Sequence, residues 1–200
     1  MTPPSGADST RDRILTAATA EFSRHGIAGA RIDRIARAAR TSKERVYAYF
    51  SGKEALYRVV SARELAAVAE ATRLDPTDLP GYAGRVHDYF AAHPDRYRLM
   101  MWGQLELDPT GAPEDDPVRQ SVAHKTEQLR RAQDEGHLDP AWDPLDVLVL
   151  VNQIAMAWAG RSERDGSTDR QEHERFLADR RAAAVIAVRR LFPAAAAGSR

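Results

Sequence analysis

The sequence predicts an all-α protein of about nine helices, in which a three-helix N-terminal domain precedes a larger helical bundle. Two observations support this prediction. No stretch of the chain keeps the alternation of apolar and polar residues that is typical of a strand. Apolar residues instead recur at helical spacing from one end to the other, and helix-capping residues stand where these patterns begin.

Residues 9–39 predict the first two helices. Ser9 and Asp12 can satisfy the free amides at the start of the first helix, and Gly26 is typical of a helix end. The second helix has an apolar face whose members recur at helical spacing. These members are Ile32, Ile35, Ala36 and Ala39. Residues 1–8, before the first cap, are expected to be disordered.

Two further capping signals predict the third and fourth helices. A capping box that begins at Thr41 predicts a short helix over residues 42–50. A second box, which begins at Ser51, predicts a longer helix that ends near residue 72.

The remaining five helices follow a segment rich in aspartate and proline, residues 74–81, and further breaks separate them. They are expected near residues 82–92, 94–107, 117–135, 143–160 and 169–192. The fourth of these helices is apolar nearly all round, so it should be buried on most sides. Residues 193–200 are expected to form a disordered tail.

Composition argues against several classes of protein. The 200 residues are 43% hydrophobic and 29% charged, and the absence of cysteine excludes disulfides and thiolate chemistry. The N-terminus lacks the apolar segment of a signal peptide, and the longest apolar run, residues 147–151, is too short to span a membrane. The spacing of the histidines is not that of a metal site. We therefore expect a cytoplasmic protein with no membrane contact, no cofactor, no metal and no catalytic residues.

Positive charge is concentrated near the N-terminus, although the chain as a whole has 29 basic and 29 acidic side chains. Residues 1–60 contain 11 basic and 6 acidic side chains, whereas residues 61–200 contain 18 and 23. Eight basic and only three acidic side chains lie within residues 31–58. This asymmetry points to contact between the basic segment and nucleic acid, with a solvated basic surface as the alternative.

The basic segment also has the layout of a helix-turn-helix, in which two helices are joined by a short turn and the second fits the DNA major groove. The second helix of the pair keeps Val46 and Phe50 inward and presents polar residues outward. Arginine can bond guanine, alanine can touch a thymine methyl group, and lysine and tyrosine can reach phosphates. The alternative is a helical hairpin with a solvated, arginine-rich face.

Several residue types in this region fall together into a known pattern. They are Phe22 and Gly26 at a helix end, then Ile35-Ala36, Ser42-Lys43, Val46-Tyr47, Tyr49-Phe50 and Lys53-Glu54-Ala55-Leu56. Over residues 9–60 the chain closely resembles the TetR family of transcriptional regulators, and beyond them it is similar mainly in layout. The resemblance implies a homodimer whose N-terminal helices bind double-stranded operator DNA, usually repressing transcription, and whose C-terminal region binds a small-molecule effector.

The resemblance also implies which residues touch DNA. Backbone or phosphate contacts are expected at Ser42, Lys43, Tyr47 and Lys53, and base contacts at Glu44, Arg45 and Ala48. The complete predicted set is Arg31, Arg40, Thr41, Ser42, Lys43, Glu44, Arg45, Tyr47, Ala48 and Lys53. The family commonly has Thr, Gly and His where this chain has Ala30, Arg40 and Ala48. The turn at Arg40 often requires a positive φ, which costs a non-glycine residue on the order of 1 kcal/mol.

A ligand pocket is expected between helices of the C-terminal bundle, where bundles place small molecules. The candidate lining residues are His87, Phe90, Tyr97, Met101, Trp102, Gln153 and Trp158. Ordinary core packing is the alternative for each of them. Asn152 and Gln153 are the sharpest candidates because a buried amide needs partners, which a ligand or a second subunit could supply.

Dimerisation is expected because the last two helices have more apolar surface than one small bundle can bury. The candidate interface residues are Val151, Ala155, Ala183, Ala187 and Leu191. The sequence thus predicts a homodimeric repressor of a palindromic operator, with residues 9–53 binding DNA and residues 54–192 binding effector and partner. Two alternatives are a helical small-molecule-binding or protein-interaction protein with degraded DNA binding, and a helical-bundle enzyme.

Overall fold

The computed structural model describes residues 6–107, 116–160 and 169–193, with side chains from residue 10 onward. Within these ranges every regular element is α-helical, so the predicted all-α class is confirmed. The described helices are α1 (Gly6–Gly29), α2 (Ile32–Ala38), α3 (Lys43–Tyr49), α4 (Lys53–Ala71), α5 (Leu79–Ala92), α6 (Pro94–Glu106), α7 (Pro117–Asp134), α8 (Pro144–Met156) and α9 (Arg170–Leu191).

The starts of α1, α3 and α5 differ from the prediction, each for a local reason. α1 begins at Gly6, so a start at Ser9 is wrong by three residues, and helix ends commonly vary by about this much. α3 is capped by Ser42 and not by Thr41, because the extended Ser42 places its hydroxyl to accept a hydrogen bond from the Arg45 amide at 3.2 Å. α5 begins three residues earlier than predicted, because the Asp78 carboxylate caps it.

The described residues form two compact units. The first comprises residues 6–65 and 95–107, and the second comprises residues 66–94, 116–160 and 169–193. The division falls inside α4, after Leu65, and places nearly all of α6 with the N-terminal helices. The functional boundary between residues 53 and 54 stays a prediction.

The core of the first unit joins α1 to α4 and α6. Ile14, Phe22 and Leu56 are fully buried, and the rings of Phe22 and Tyr57 pack edge to face with centroids 5.3 Å apart. The buried Tyr57 hydroxyl donates a 2.7 Å hydrogen bond to the Leu99 carbonyl. Burial also raises the pKa of Tyr57 to about 12, so this donor stays protonated.

In the second unit α5 packs against α8 and α9, and α7 packs against α8. The Arg181 Nε donates to both carboxylate oxygens of Asp88 at 2.9 Å, which joins α9 to α5. The Tyr82 hydroxyl donates to Asn152 Oδ1 at 3.0 Å and accepts from Lys125 Nζ at 3.3 Å. The predicted need of Asn152 for a partner is therefore met within the chain.

One face of α8 is not buried, which corrects the expectation that this helix is covered on most sides. Leu145 is 46% exposed and Val149 is 47% exposed, and Gln153, one further turn along, is also exposed. The opposite face, with Val147 and Val151, is buried in the unit. An apolar sequence on every side cannot reveal which face the chain itself covers.

Candidate nucleic-acid interface

The turn of the helix-turn-helix is built around Arg40. The Arg40 amide donates to the Arg37 carbonyl at 3.1 Å, and the Thr41 amide donates to the Ala36 carbonyl at 3.0 Å. These two bonds form a Schellman motif, which requires a left-handed residue just after the helix. Arg40 has φ +52°, and no other non-glycine residue in the described ranges has a positive φ. The predicted positive φ at this turn is confirmed.

α3 lies directly after this turn and presents a polar surface. Val46 is its buried residue, at 1% exposure, whereas Lys43, Glu44, Arg45 and Ala48 are all exposed. Tyr47 is 48% exposed and belongs to the same surface. These exposures agree with the predicted outward face of the second helix, while contact with DNA at each position stays a prediction.

The charged side chains of α3 have partners within the protein. Lys43 Nζ lies 3.2 Å from Asp33 Oδ1 on α2, and this hydrogen bond raises the pKa of Lys43. Hydrogen bonds from its own amide and from the Ser42 hydroxyl lower the pKa of Glu44. The Arg45 guanidinium carbon lies 5.7 Å from the centroid of the Tyr49 ring, within cation–π range.

α2 is fastened to α1 by side chains that the sequence did not single out. Glu21 Oε1 accepts hydrogen bonds from Arg34 Nε at 2.7 Å and from the Arg31 amide at 2.9 Å. The Arg13 Nε donates to the Ala39 carbonyl at 3.1 Å. Burial raises the pKa of Glu21, but the hydrogen bonds from Arg34 and Arg31 outweigh it, so its net pKa is below the ordinary value. These bonds fix the helix that supports α3.

Lys53 has a structural contact that the sequence did not predict. Its Nζ donates to the carbonyl of Ala28, in the last turn of α1, at 2.8 Å and to that of Ala30, between α1 and α2, at 3.4 Å. The Glu106 carboxylate accepts from the Ala28 amide at 2.6 Å. The partners of Lys53 and Glu106 lie 25 and 78 positions away in sequence, so no local pattern could have indicated them.

Three exposed arginines complete the basic surface. Arg31 is the residue before α2, and Arg37 is in its last turn. Arg40 lies just beyond the end of the helix. Within the described part of the chain, their guanidinium groups have no ion-pair partner. They are therefore available to an external anion, unlike Arg34 and Lys43, which are engaged by carboxylates.

Only three of the seven predicted ligand residues come together. His87, Phe90 and Trp158 line a narrow cleft between α5, α8 and α9, together with Ala155 and Leu177, and its enclosed volume is only about 10 Å³. The His87 imidazole is 5% exposed, and its Nδ1 makes no hydrogen bond and lies 3.5 Å from Asp88 Oδ1.

The other four predicted ligand residues lie elsewhere. Gln153 is on the exposed face of α8, because it follows Leu145 and Val149 at helical spacing. Tyr97, Met101 and Trp102 belong to the first unit, where the Trp102 indole donates to the Ser23 carbonyl at 3.4 Å. Trp102 also packs where a Cβ on Gly26 would be, and Gly26 has φ +69° at the bend of α1.

Two of the five predicted dimer residues are buried in the single chain, and the other three are at least partly exposed. Val151 and Ala155 are each 1% exposed in the single chain, so they belong to its core and not to an outer surface. Ala183 and Ala187 on α9 are exposed, and Leu191 is partly exposed. On these two helices the large outward-facing apolar residues are Leu145 and Val149 of α8 and Ile186 of α9.

Within the described ranges, no group of three or more side chains could hold a metal ion. None of the helices described is long and apolar enough to cross a membrane. The features that stand out are the turn at Arg40 and the exposed, polar face of α3, which are those of a DNA-binding helix-turn-helix protein.

Comparisons with known proteins give the family. Residues 14–60 match the family model of bacterial regulatory proteins of the tetR family, and residues 78–190 match that of the tetracyclin repressor-like C-terminal domain. The HTH-type transcriptional repressor SCO4008 of Streptomyces coelicolor is 40% identical over 153 residues, which are 76% of this chain and 79% of that protein. The chain belongs to the TetR family of transcriptional regulators.

Solved structures agree with this assignment. The crystal structure of the putative transcriptional regulator SCO4942 from Streptomyces coelicolor is 57% identical, with a TM-score of 0.77 over 92% of this chain and 98% of that chain. A putative tetR family regulator from Shewanella sp. PV-4, which is 19% identical, has the same fold with a TM-score of 0.70 over 92% and 98% of the two chains. The resemblance found in residues 9–60 is thus confirmed.

Proposed function

We propose that this protein is a transcriptional repressor that binds a palindromic operator as a homodimer and is released by a small molecule bound in its second unit. The observation that supports this proposal most is the exposed face of α3, which follows directly after the turn at Arg40. Hydrogen bonds between α1 and α2 fix the helix that precedes this turn. The relative from Streptomyces coelicolor that is named a repressor supports the direction of regulation.

The exposed side chains suit the two kinds of DNA contact. Arg45 can bond a guanine edge bidentately, and Ala48 can touch a thymine methyl group. Arg31 and Arg40 can bind phosphates without giving up an internal ion pair. Lys53 would contribute mainly by holding the link between α1 and α2, with phosphate contact as a second role.

The alternative in which DNA binding has degraded rests on Ala30 and Arg40, which depart from the family pattern. Arg40 keeps both hydrogen bonds of the Schellman motif, and Ala30 is buried at 4% exposure in the core of the first unit. Neither departure from the family pattern disturbs the local geometry, so no observation favours that alternative.

A second copy of the chain would cover the exposed apolar faces of α8 and α9. Leu145, Val149 and Ile186 are each close to half exposed in the single chain, and the small Ala183 and Ala187 allow close approach of helices. A two-fold dimer would present two copies of α3 to half-sites about 34–36 Å apart, or a multiple of that distance.

The effector would bind in the cleft lined by His87, Phe90 and Trp158. The enclosed space of this cleft is only about 10 Å³, far below the range of about 300–1,000 Å³ that is typical of small-molecule sites, so we expect the cleft to widen when an effector binds. Aromatic rings around one buried imidazole are the type of lining that such sites use.

Footprinting on the intergenic DNA beside the protein's own gene tests the proposal. We expect one protected, palindromic site whose occupancy falls as salt is raised, because phosphate contacts release counterions. Protection that is absent, or that appears equally at every sequence, would refute the proposal.

A further inference from the structure

The ion pair between Lys43 and Asp33 is unusual because it lies on the face that the proposed function turns toward DNA. Lys43 is the first residue of α3, and its Nζ lies 3.2 Å from the Asp33 carboxylate on α2. The two side chains are 48% and 65% exposed, so solvent and a phosphate can reach both. Asp33 is one of only three acidic residues among residues 31–58.

This pair contrasts with the pair between Glu21 and Arg34 in the same unit. Glu21 has a side chain that is 10% exposed and accepts hydrogen bonds from both Arg34 and the Arg31 amide, so it holds the fold together. Asp33 is mostly exposed and has one ion-pair partner, and such pairs contribute little to stability. The main effect of Asp33 is therefore electrostatic.

A phosphate that binds Lys43 either lies close to the Asp33 carboxylate or displaces it from Lys43. If Lys43 keeps its bond to Asp33, the phosphate and the carboxylate lie within about 6 Å, two hydrogen-bond lengths, and repel each other. If Lys43 turns away, the ion pair is lost. Glu44 does not relieve the conflict, because it is a carboxylate itself and is held by its own amide and the Ser42 hydroxyl.

We propose that Asp33 restrains sequence-independent DNA binding by holding the Lys43 ammonium in an intramolecular ion pair. The inference rests on the proposed function, since it requires α3 to face DNA. Backbone attraction supplies essentially all of non-specific binding, so a carboxylate at this place lowers affinity for the bulk of the genome. Asp33 should not affect base contacts made by Arg45, because the Arg45 guanidinium lies over the Tyr49 ring.

The test is fluorescence anisotropy with a labelled random-sequence duplex, titrated between 50 and 200 mM salt (about the range over which such contacts are resolved). We expect Asp33→Asn to bind the random duplex about 3- to 10-fold more tightly than the wild type at low salt. The gain should shrink as salt is added, and log Kobs should fall more steeply with log salt, by about one unit per subunit. Asp33→Glu should behave like the wild type.

Two controls separate this effect from a general change of charge. Glu70→Gln removes the same charge from an exposed pair with Arg73 in the second unit, and it should change the affinity for random DNA by less than about twofold. In a Lys43→Gln background, Asp33→Asn should give less than about a twofold gain, because the restraint acts through Lys43.

The inference is overturned if Asp33→Asn binds random DNA no more tightly than Glu70→Gln, if neither wild type nor Asp33→Asn binds random DNA, or if the gain persists without Lys43. A protected operator in footprinting would then leave the proposed function standing. A wild-type protein that protects no site, with Asp33→Asn still gaining affinity for random DNA, would instead contradict the operator proposal alone.

Discussion

Arg40 occupies, at the end of α2, the same position that Gly136 occupies at the end of α7. Each amide donates to a carbonyl in the last turn of its own helix, at 3.1 Å for Arg40 and 3.0 Å for Gly136. The amides of the following residues, Thr41 and His137, complete both Schellman motifs. The φ angles are +52° and +76°, so the same turn is made once by glycine and once by an arginine.

Replacing Arg40 with glycine should stabilise the protein and weaken DNA binding. The left-handed conformation costs arginine about 1–2 kcal/mol, and glycine avoids this cost. Glycine also loses more conformational entropy on folding, which offsets about 0.5–1 kcal/mol of the stabilisation. We therefore expect Arg40→Gly to raise the free energy of unfolding by about 0.5–1 kcal/mol in urea titrations. Affinity for DNA should fall several-fold, through the loss of one phosphate contact per subunit.

Gly136→Ala is the matched control for that experiment. A Cβ at Gly136 would meet no atom within 4 Å, so the substitution introduces backbone strain alone. We expect it to lower the free energy of unfolding by about 1 kcal/mol and to leave DNA affinity unchanged. Destabilisation by Arg40→Gly would contradict the strain at the turn, and unchanged DNA affinity would show that Arg40 touches no phosphate.

The Glu21 carboxylate should make stability depend on pH in the acid range. Burial raises its pKa, but hydrogen bonds from Arg34 and Arg31 lower it by more, so the folded pKa is below the unfolded value of 4.5. The contribution of Glu21 is therefore fully present above pH 4.5 and is lost as pH falls through the folded pKa.

Glu21→Gln should measure that contribution. At neutral pH we expect it to lower the free energy of unfolding by about 1–3 kcal/mol, because hydrogen bonds to a buried charge are lost or weakened. Urea titrations at descending pH should show the difference between wild type and variant shrink below pH 4.5. Glu70→Gln, from an exposed pair, should show a much smaller difference. A difference for Glu21→Gln that stays constant with pH would contradict the assignment.

The hydroxyl of Tyr57 should be needed for the attachment of α6 to α4. Tyr57→Phe removes the 2.7 Å hydrogen bond to the Leu99 carbonyl, which should lower the free energy of unfolding by about 0.5–1.5 kcal/mol. Tyr47→Phe removes the same hydroxyl from a ring that is 48% exposed, and the expected change is below about 0.5 kcal/mol. Equal effects of the two substitutions in thermal or urea unfolding would refute this role.

A charge on the outer face of α8 should prevent dimerisation. Val149→Glu places a carboxylate at a residue that is 47% exposed in the single chain and that a second copy would bury. Sedimentation should show a dimer for the wild type and a monomer for this variant at micromolar concentration. Val118→Glu makes the same change at a valine of α7 that is 45% exposed, and it should stay dimeric. Identical behaviour of the two variants would exclude this face of α8 as the interface.

Structure that neighbouring residues determine could be predicted from the sequence. The spacing of Ile32, Ile35 and Ala36 predicts the buried face of α2, and the polar neighbours of Val46 predict the outward face of α3. The positive φ at Arg40 is implied by the resemblance to the TetR family, which commonly has glycine at this turn, and not by the spacing of the helices.

Side-chain roles that depend on distant partners could not be predicted in this way. Lys53 bonds carbonyls 23 and 25 positions earlier, and Glu106 bonds an amide 78 positions away. In α8, apolar residues occur on every side, so the sequence could not show that Val151 is buried while Val149 is outward. For the same reason, the sequence could not show that Asn152 has a partner within the chain whereas Gln153 is exposed.

Arg45 should be the main determinant of sequence preference. Loss of a bidentate contact to guanine costs about 1–3 kcal/mol, so Arg45→Ala should lose discrimination at one G·C pair in each half-site. The base preference of this variant at the other positions of the half-site should change little. Arg130→Ala, which removes an exposed arginine of α7 from a pair with Glu127, should keep the wild-type preference.

Selection of binding sites from a random duplex library, followed by sequencing, tests the central claim most directly. The account predicts that the wild type and Arg130→Ala enrich the same palindrome, with half-sites centred about 10–10.5 base pairs or a multiple of this apart. Arg45→Ala should enrich a palindrome that is degenerate at one symmetric pair of positions. Enrichment of no common site by the wild type, or of an unaltered palindrome by Arg45→Ala, would contradict the account of α3 as the helix that reads the operator.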